Sequence, residues 1–485
     1  MWNLFRKNVA DKSIKNNASV NTRIRLKNTL TEEKDVFKPV EKGHVSMYHC
    51  GPTVYKEQHI GNMRAFVFAD LLGRLFRYQG LDVKQVINIT DVGHLVSDND
   101  EGEDKMEQSA RETGLTANEI SEKYTQLFMV DMKKLNIETS KIKFPRATDH
   151  IKEQIEIIEK LDVKAITYKT SDGIYFDTSK TNYGVLGNVV IENQEEGARV
   201  EKNSEKRNPT DFALWKFSKP GENRQQEWDS PWGIGFPGWH LECSAMSHKL
   251  LGDKFDIHTG GIEHIQIHHN NEIAQSFEAF GQVPANYWMH NGHVLYNKEK
   301  MSKSIGNVVL LSDIEGREID PIVYRYWLLT SRYSTLTNFT WVALESAQIA
   351  YNRIINHFND IVAGEINEKY LGRAVANFND DLDTAGTIST IWEMIKDTEI
   401  SKEDQFTTLL EIDKLLGLNF KEKIMENTRN KENKEIPLKI HELAIERQNM
   451  RKSGDYEGAD KIRDQVLGSG FKIVDDGENF EIFWK

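Results

Sequence analysis

The chain has 485 residues, 39% of them hydrophobic, which is enough to bury a large core and to divide into roughly two to four domains. A net charge of −13 excludes a protein coated in basic surface, so any nucleic acid must be met by local stripes of Lys and Arg. Two cysteines 193 residues apart exclude a disulfide framework and point to a reducing compartment, and no apolar run is long enough to cross a membrane.

Residues 1–22 carry Arg6, Lys7, Lys12 and Lys15 against the single acid Asp11, without the apolar core of a secretory signal. A flexible basic extension is expected, with an organellar transit peptide as the alternative. Residues 23–115 read as the first half of a nucleotide-binding α/β sheet. Val45 to His49 is a strand, Cys50-Gly51-Pro52 a tight turn, and a long amphipathic helix follows His59-Ile60-Gly61-Asn62 and runs to about Tyr78. Gly61 lets the backbone approach a phosphate, and the helix start offers unpaired N–H groups and a positive dipole end. Val83 to Ile89 is a buried strand with Asn88-Ile89-Thr90-Asp91 at its end. Ligands of such sheets gather at the carboxyl ends of strands, so Thr90 and Asp91 are read either as substrate contacts or as helix caps. The acidic stretch Asp98 to Asp104 lacks the spacing of a calcium loop and reads as solvated.

Residues 116–225 alternate helical and strand-like pieces and end in Lys206-Arg207-Asn208-Pro209-Thr210-Asp211. Residues 226–296 return to the sheet pattern, closing on the strand Tyr287-Trp288-Met289-His290. In Asp256-Ile257-His258-Thr259-Gly260-Gly261 a strand meets two glycines, read as a surface for a flat base or ribose or as a plain turn. Region 297–340 opens with Lys300-Met301-Ser302-Lys303-Ser304, two ammonium groups on a loop suited to clamping the far phosphates of a nucleotide. Apolar residues three and four apart make 341–425 helical. A polar run over 426–436 reads as a linker. It precedes a last module, 437–485, in which Arg447, Arg451, Arg463 and the ending Phe483-Trp484-Lys485 are read as an RNA-facing surface or as a solvated face over a terminal core.

Both cysteines lie among other metal-ligating types. Cys50 precedes the first glycine loop, Cys243 lies in Pro237-Gly238-Trp239-His240-Leu241-Glu242-Cys243-Ser244, and His268-His269-Asn270-Asn271-Glu272 follows. Two thiolates, an imidazole and a carboxylate suit zinc. Spacing alone does not choose between His268 and His269, since residues three and four apart on a helix both face Glu272.

Cys50-Gly51-Pro52-Thr53-Val54-Tyr55 ahead of His59-Ile60-Gly61-Asn62, together with Lys300-Met301-Ser302-Lys303-Ser304, resembles the signatures of class I aminoacyl-tRNA synthetases. The match is closest to the cysteinyl-tRNA synthetase family and runs from about residue 24 to the end. It implies a Rossmann-like parallel-sheet α/β catalytic domain split by a connective insertion at 116–225. A stem-contact region (297–340), an α-helical tRNA-binding bundle (341–425) and a small C-terminal α+β anticodon module (437–485) follow. It implies one zinc ion on Cys50, Cys243, His268 and Glu272, and L-cysteine held near Thr90, Trp239 and His240. ATP with magnesium falls on Thr53, His59, Gly61, Asn62, Gly260, Gly261, Lys300 and Lys303, with His59, Asn62, Lys300 and Lys303 as the catalytic set. The activity implied is ligation of cysteine to tRNA(Cys) through cysteinyl-adenylate, by a cytoplasmic monomer that does not touch a membrane. A soft metal would separate cysteine from serine by bonding, where a pocket measuring size alone manages roughly 10²-fold.

Four positions depart from the family's commonest pattern: Thr259 stands for Gly, Asn270 for Glu, Phe236 for Arg, and Gly93-His94 lies in place of an Asp-rich run. Two other readings stay open. One is an enzyme of the same stock that ligates cysteine to an amino sugar, as in mycothiol synthesis. The other is a non-catalytic relative kept as an RNA-binding module. The C-terminal module speaks against the first, and the intact lysines and ligands against the second.

Overall fold

Continuous burial rather than alternation marks the central strands, as in a helix-covered parallel sheet. The computed structural model describes residues 23–93, 104–188, 205–219, 221, 224–301, 306–358, 361–432, 436–476 and 479–484. The N-terminal extension therefore lies outside the described residues. A short antiparallel pair, β1 (Arg25–Lys27) and β2 (Lys34–Val36), leads into β3 (His44–His49), α1 (Ile60–Tyr78) and β4 (Asp82–Ile87). Then come α2 (Lys105–Thr113), α3 (Ala117–Lys134), β5 (Ile142–Lys143) and α4 (Ile151–Val163). Of the acidic stretch expected as a solvated loop only Asp104 is described. It is buried, and its carboxylate caps α2 by accepting from the N–H groups of Met106 and Glu107.

The insertion builds its own antiparallel sheet from β6 (Thr167–Lys169), β7 (Gly173–Phe176), β8 (Phe212–Phe217) and β9 (Gly235–Pro237). Pairing of Trp215 with Pro237 carries this sheet past the boundary expected at 225. The chain then returns through α5 (Trp239–Leu251), β10 (Phe255–Gly261), α6 (His268–Phe280) and β11 (Ala285–Asn291). The main sheet is parallel throughout, in the order β11-β10-β3-β4-β5. From β3 the chain winds outward to β4 and β5 on one side, and it later comes back to β10 and β11 on the other. The crevice beyond the carboxyl ends of β3 and β10 is thus the topological switch point, where such sheets bind ligands.

Next stand β12 (Val294–Tyr296), β13 (Glu299–Lys300), α7 (Leu311–Glu315), α8 (Pro321–Leu329) and β14 (Thr337–Phe339), the strands pairing as β13-β12-β14. Helices α9 (Trp341–His357), α10 (Glu368–Asn379), α11 (Thr384–Lys396), α12 (Lys402–Leu416) and α13 (Phe420–Glu432) follow. Residues 426–432 of the expected linker are therefore helical. The run is polar, but its Lys and Glu are good helix formers and Ile424 is buried. Among the described residues no helix is long and apolar enough to cross a membrane.

Contacts divide the chain into one unit of residues 23–354 and 361–420 and another of 355–358 and 421–484. Inside the first, a buried ion cluster locks α1 to α8. The Asp70 carboxylate accepts from Arg74 Nε at 2.7 Å and Arg325 Nη2 at 2.6 Å, and Arg325 also donates to the carbonyls of Leu416 and Leu135. Asp70 and Arg325 are both fully buried. Asp70→Asn takes from the buried Arg325 the carboxylate it is paired with and leaves Arg74 only Glu138, and is expected to destabilise this unit by about 3–5 kcal/mol, read as a lower urea midpoint.

The second unit packs α14 (Leu438–Ser453) and α15 (Tyr456–Gly468) on the hairpin of β15 (Phe471–Asp476) and β16 (Asn479–Trp484), with Ile440, Ala444, Ile462, Val466 and Phe471 in its core. Arg447 grips Asp475 bidentately at 2.7 and 2.9 Å, Arg451 pairs with the same carboxylate, and Arg463 pairs with Asp460. These three cations are neutralised within the unit. Hydrogen bonds from Arg447 outweigh burial and, with Arg451, hold the Asp475 carboxyl down to about 2. The folded value lies below the unfolded one, so the stability gained is complete above roughly pH 4 and is lost as pH falls through about 2. Amide exchange in α14 and β15 should accelerate across that window, and Asp475→Asn should flatten the dependence.

Candidate active site

Four elements converge at the switch point. Cys50 follows β3 and donates its N–H to the Thr259 carbonyl of β10 at 3.0 Å, Cys243 lies in α5, and α6 begins with His268 and Glu272 one turn apart on one face. The donor atoms of Cys50, Cys243, His268 and Glu272 lie within 4.8 Å of one another. Their exposures are 9%, 2%, 3% and 1%. A second set, Cys50, His258, His269 and Glu272, also lies within 4.8 Å. Glu272 therefore faces two ways: His268 Nε2 is 3.1 Å from Oε1, and His258 Nε2 is 2.8 Å from Oε2.

Burial and its charged neighbours set the protonation of the cluster. Burial, with Cys243 and Glu272 beside it, pushes the Cys50 thiol up, whereas its hydrogen bond to Cys50 draws Cys243 down to about 7. Burial would lower His268, but Cys243 and Glu272 raise it to about 10. Burial would raise Glu272, but His258 and His268 hold it near 2. Two sulfurs, an imidazole and a carboxylate, all nine-tenths buried and already anionic in part, fit a divalent cation of borderline softness.

An outer layer orients these donors. The Nδ1 atoms of His240 and His268 are 2.9 Å apart, His269 Nδ1 is 2.8 Å from His290 Nε2, and His290 Nδ1 is 2.8 Å from Thr29 Oγ1. His258 and His290 are not among the residues expected at the site, and His269 enters there only as the alternative to His268. The available signal was position: His258 is near the end of a buried central strand, and His290 is on the neighbouring strand, where Gly260 pairs with it.

Around this cluster stand the residues expected to hold the amino acid. The Trp239 ring lies 4.7 Å from that of His268. Thr90 Oγ1 accepts from Asn88 Nδ2 at 2.9 Å, and Asn88 Oδ1 accepts from Gly51 N at 2.8 Å while lying 3.9 Å from Cys243 Sγ. Thr53 and Thr90 form a parallel bridge, which brings the turn after Cys50 beside the end of β4. Gly51 is required there, because any side chain would run into the Asn88 carbonyl. Asp91 accepts from the N–H of Thr148 at 3.0 Å and from its hydroxyl at 2.7 Å, which ties the end of the sheet to the turn of Ala147–His150.

Each described departure has a local partner. Thr259 Oγ1 is 2.6 Å from His49 Nδ1, and Asn270 clamps the insertion by accepting from Leu186 N and donating to the Leu186 and Ile265 carbonyls. The Phe236 ring lies under the Arg224 guanidinium at 3.5 Å, and Arg224 pairs with Asp104 and donates to the Gly93 carbonyl at 2.7 Å. Gly93 leaves room for the Asp104 carboxylate. Two departures thus form one assembly, while His94 lies outside the described residues.

The residues expected to hold the nucleotide lie on α1, in β13 and in the residues after it. His59 caps α1, its Nδ1 accepting from Asn62 N at 3.2 Å, and Asn62 Nδ2 donates to Gln58 Oε1 at 2.7 Å. A side chain on Gly61 would crowd the His59 ring and approach Met301 Sδ at 3.7 Å, so the two sequence signatures meet. Ile60 N donates to Val309 O at 2.9 Å, and His59 bridges Leu310. Lys300 ends β13 and is exposed; Lys303 lies outside the described residues. Gly260 and Gly261 are not a turn but the end of β10, paired with His290 and Asn291. A side chain on Gly260 would collide with His264 and His269.

The profile of the tRNA synthetases class I (C) catalytic domain matches residues 36–349. A cysteine–tRNA ligase 1 of Burkholderia lata is 44% identical over 451 residues, covering 92% of this chain and 94% of that protein. A cysteine–tRNA ligase of Treponema denticola is 40% identical over 481 residues, covering 93% and 98%. Among solved structures, a Mycobacterium tuberculosis methionyl-tRNA synthetase bound by methionyl-adenylate superposes with a TM-score of 0.51 at 14% identity, covering 79% of this chain and 92% of that one. A leucyl-tRNA synthetase (LeuRS) of Agrobacterium radiobacter, in a ternary complex with tRNA, gives 0.55 at 12% identity, covering 81% and 85%. At such identities these two likenesses concern the fold alone.

Proposed function

The chain belongs to the cysteinyl-tRNA synthetase family, and from that premise we propose that it is the ATP-dependent ligase that joins L-cysteine to the 3′ end of tRNA(Cys). The observation that carries this reading is the convergence of Cys50, Cys243, His268 and Glu272, with Trp239 against His268 and Thr90 joined through Asn88 to Cys243.

These four residues would hold zinc, which supplies when bound a thiophilic Lewis acid that accepts the substrate sulfur as thiolate and takes a serine hydroxyl poorly. His240 and His258 fix the orientation of His268 and Glu272. Trp239 covers the amino-acid pocket, and Thr90 presents a hydroxyl at its edge. The cysteine carboxylate attacks the α-phosphorus of ATP, the bond from that phosphorus to the α,β-bridging oxygen breaks, pyrophosphate leaves with that oxygen, and cysteinyl-adenylate remains. His59 and the N-terminal amides of α1 receive the α-phosphate, and Lys300 and Lys303 neutralise charge moving onto pyrophosphate, with magnesium carried by the nucleotide. The terminal adenosine hydroxyl of tRNA then attacks the adenylate carbonyl and expels AMP. Positioning and charge carry both steps, without a covalent enzyme intermediate. The helical region 341–425 and the module 437–485 are assigned to the tRNA.

Cysteine-dependent exchange of pyrophosphate into ATP, followed by charging of tRNA(Cys) in competition with an amino-sugar acceptor, tests the reading. Exchange and tRNA charging are the expected results. Exchange with transfer only to the amino sugar would replace the acceptor, and absence of exchange in zinc-replete protein would leave a binding module.

A further inference from the structure

We propose that the buried cluster offers a divalent cation two overlapping seats that share Cys50 and Glu272. One is completed by Cys243 and His268, the other by His258 and His269, and only one can be filled at a time. This inference rests on the zinc reading above and extends it to residues that reading uses only as supports.

The second seat is built as a metal site is built. His258 Nε2 stands 2.8 Å from Glu272 Oε2, and His269 Nε2 stands 3.3 Å from Cys50 Sγ and 3.9 Å from Glu272 Oε1. All four donor atoms lie within 4.8 Å of one another, and both histidines are fully buried. Tetrahedral zinc with bonds of about 2.0–2.3 Å needs only a small contraction of such a set. Each imidazole is held in aim from outside. His269 turns Nε2 inward because Nδ1 meets His290, itself held by Thr29, and the His258 ring stacks on Trp288 at 4.5 Å and 14°.

Charge and softness rank the seats in opposite ways. Two thiolates and a carboxylate leave the first seat with one negative charge in excess of the cation. One thiolate and one carboxylate leave the second neutral, which lowers the cost of burying it. The first seat has the second sulfur, which favours zinc and wins in the intact chain. Remove that sulfur and the balance turns to the neutral seat. The ion then shifts from Cys243 and His268 to His258 and His269, keeping Cys50 and Glu272, rather than leaving the protein.

The test uses the full-length protein loaded with Co²⁺ or Zn²⁺ and X-ray absorption to count sulfur and imidazole around the ion. Wild type should bind one ion with two sulfurs and one imidazole. Cys243→Ser should still bind one ion, with sulfur falling from two to one and imidazole rising from one to two, and with the cobalt–thiolate charge-transfer band about halved. Adding His258→Phe and His269→Gln to Cys243→Ser should lose the ion. A Cys243→Ser protein that binds no ion while melting like wild type, or that keeps one sulfur and a single imidazole, overturns the second seat and leaves the zinc reading standing. Wild type without an ion of two sulfurs would overturn both.

Discussion

Cys50→Ser is expected to empty the cluster of metal and to lower the preference for cysteine over serine in adenylate formation by roughly 10²–10³-fold. Cys50 belongs to both donor sets, so its loss cannot be met by a shift of the ion. The replacement is nearly isosteric, which separates lost bonding from lost packing. A pocket that measures size alone distinguishes such isosteres by roughly 10², whereas a site that bonds one specific atom reaches 10⁴–10⁵. The remaining preference should therefore approach the size-only limit. The measurement is kcat/KM for pyrophosphate exchange with each amino acid, alongside metal content. A variant with unchanged zinc and unchanged preference would refute the ligand set.

Lys303→Ala is expected to lower kcat for adenylate formation by roughly 10²–10³-fold, with Lys300→Ala close behind and KM for ATP moving much less. The reason is where the charge goes. In the ground state magnesium already offsets part of the triphosphate charge, and further negative charge builds on the departing pyrophosphate as the bond to the α-phosphorus breaks, so a cation at that end acts mainly in the transition state. Met301 is buried and touches the approach to Gly61, and Val309 receives the Ile60 N–H, so the described residues on either side of 302–305 both meet the start of α1. Single-turnover adenylate formation separates this effect from product release. A variant that raised KM alone would show that the lysines serve ground-state binding.

Much of this arrangement is legible in the sequence. The strand-turn-helix around Cys50 and His59 is announced by local signals that tertiary context does not reverse, and α1 ends at Tyr78 as its apolar periodicity predicts. Cys50, Cys243, His268 and Glu272 could be singled out by residue type. What the sequence lacks is direction. Nothing in the spacing of His268 and His269 says that one aims at Cys243 and the other at Cys50, because the choice depends on how α6 is rolled against β10. His258 and His290 escaped notice for a related reason: a histidine in a buried strand is unremarkable until its neighbours across the sheet are known. The linker failed on physics of another kind. Polarity showed that 426–436 buries little, but helix propensity in its Lys and Glu carries α13 to Glu432. Arg447 and Arg451 looked available for RNA, and the partner that neutralises them, Asp475, lies on a strand that local sequence does not connect to them.

The separation of Cys50 and Glu272 by 222 residues has a consequence for the nascent chain. At about 5–20 residues per second the ribosome needs roughly ten to forty-five seconds to pass from the first donor to the last. During that interval the leading thiol has emerged without the groups that will enclose it, open to oxidants and to whichever labile cation is nearby. If zinc is the ion held there, as proposed, it can be captured only late, once α6 has been made, so starvation for zinc during translation should yield idle enzyme that later addition of the metal restores.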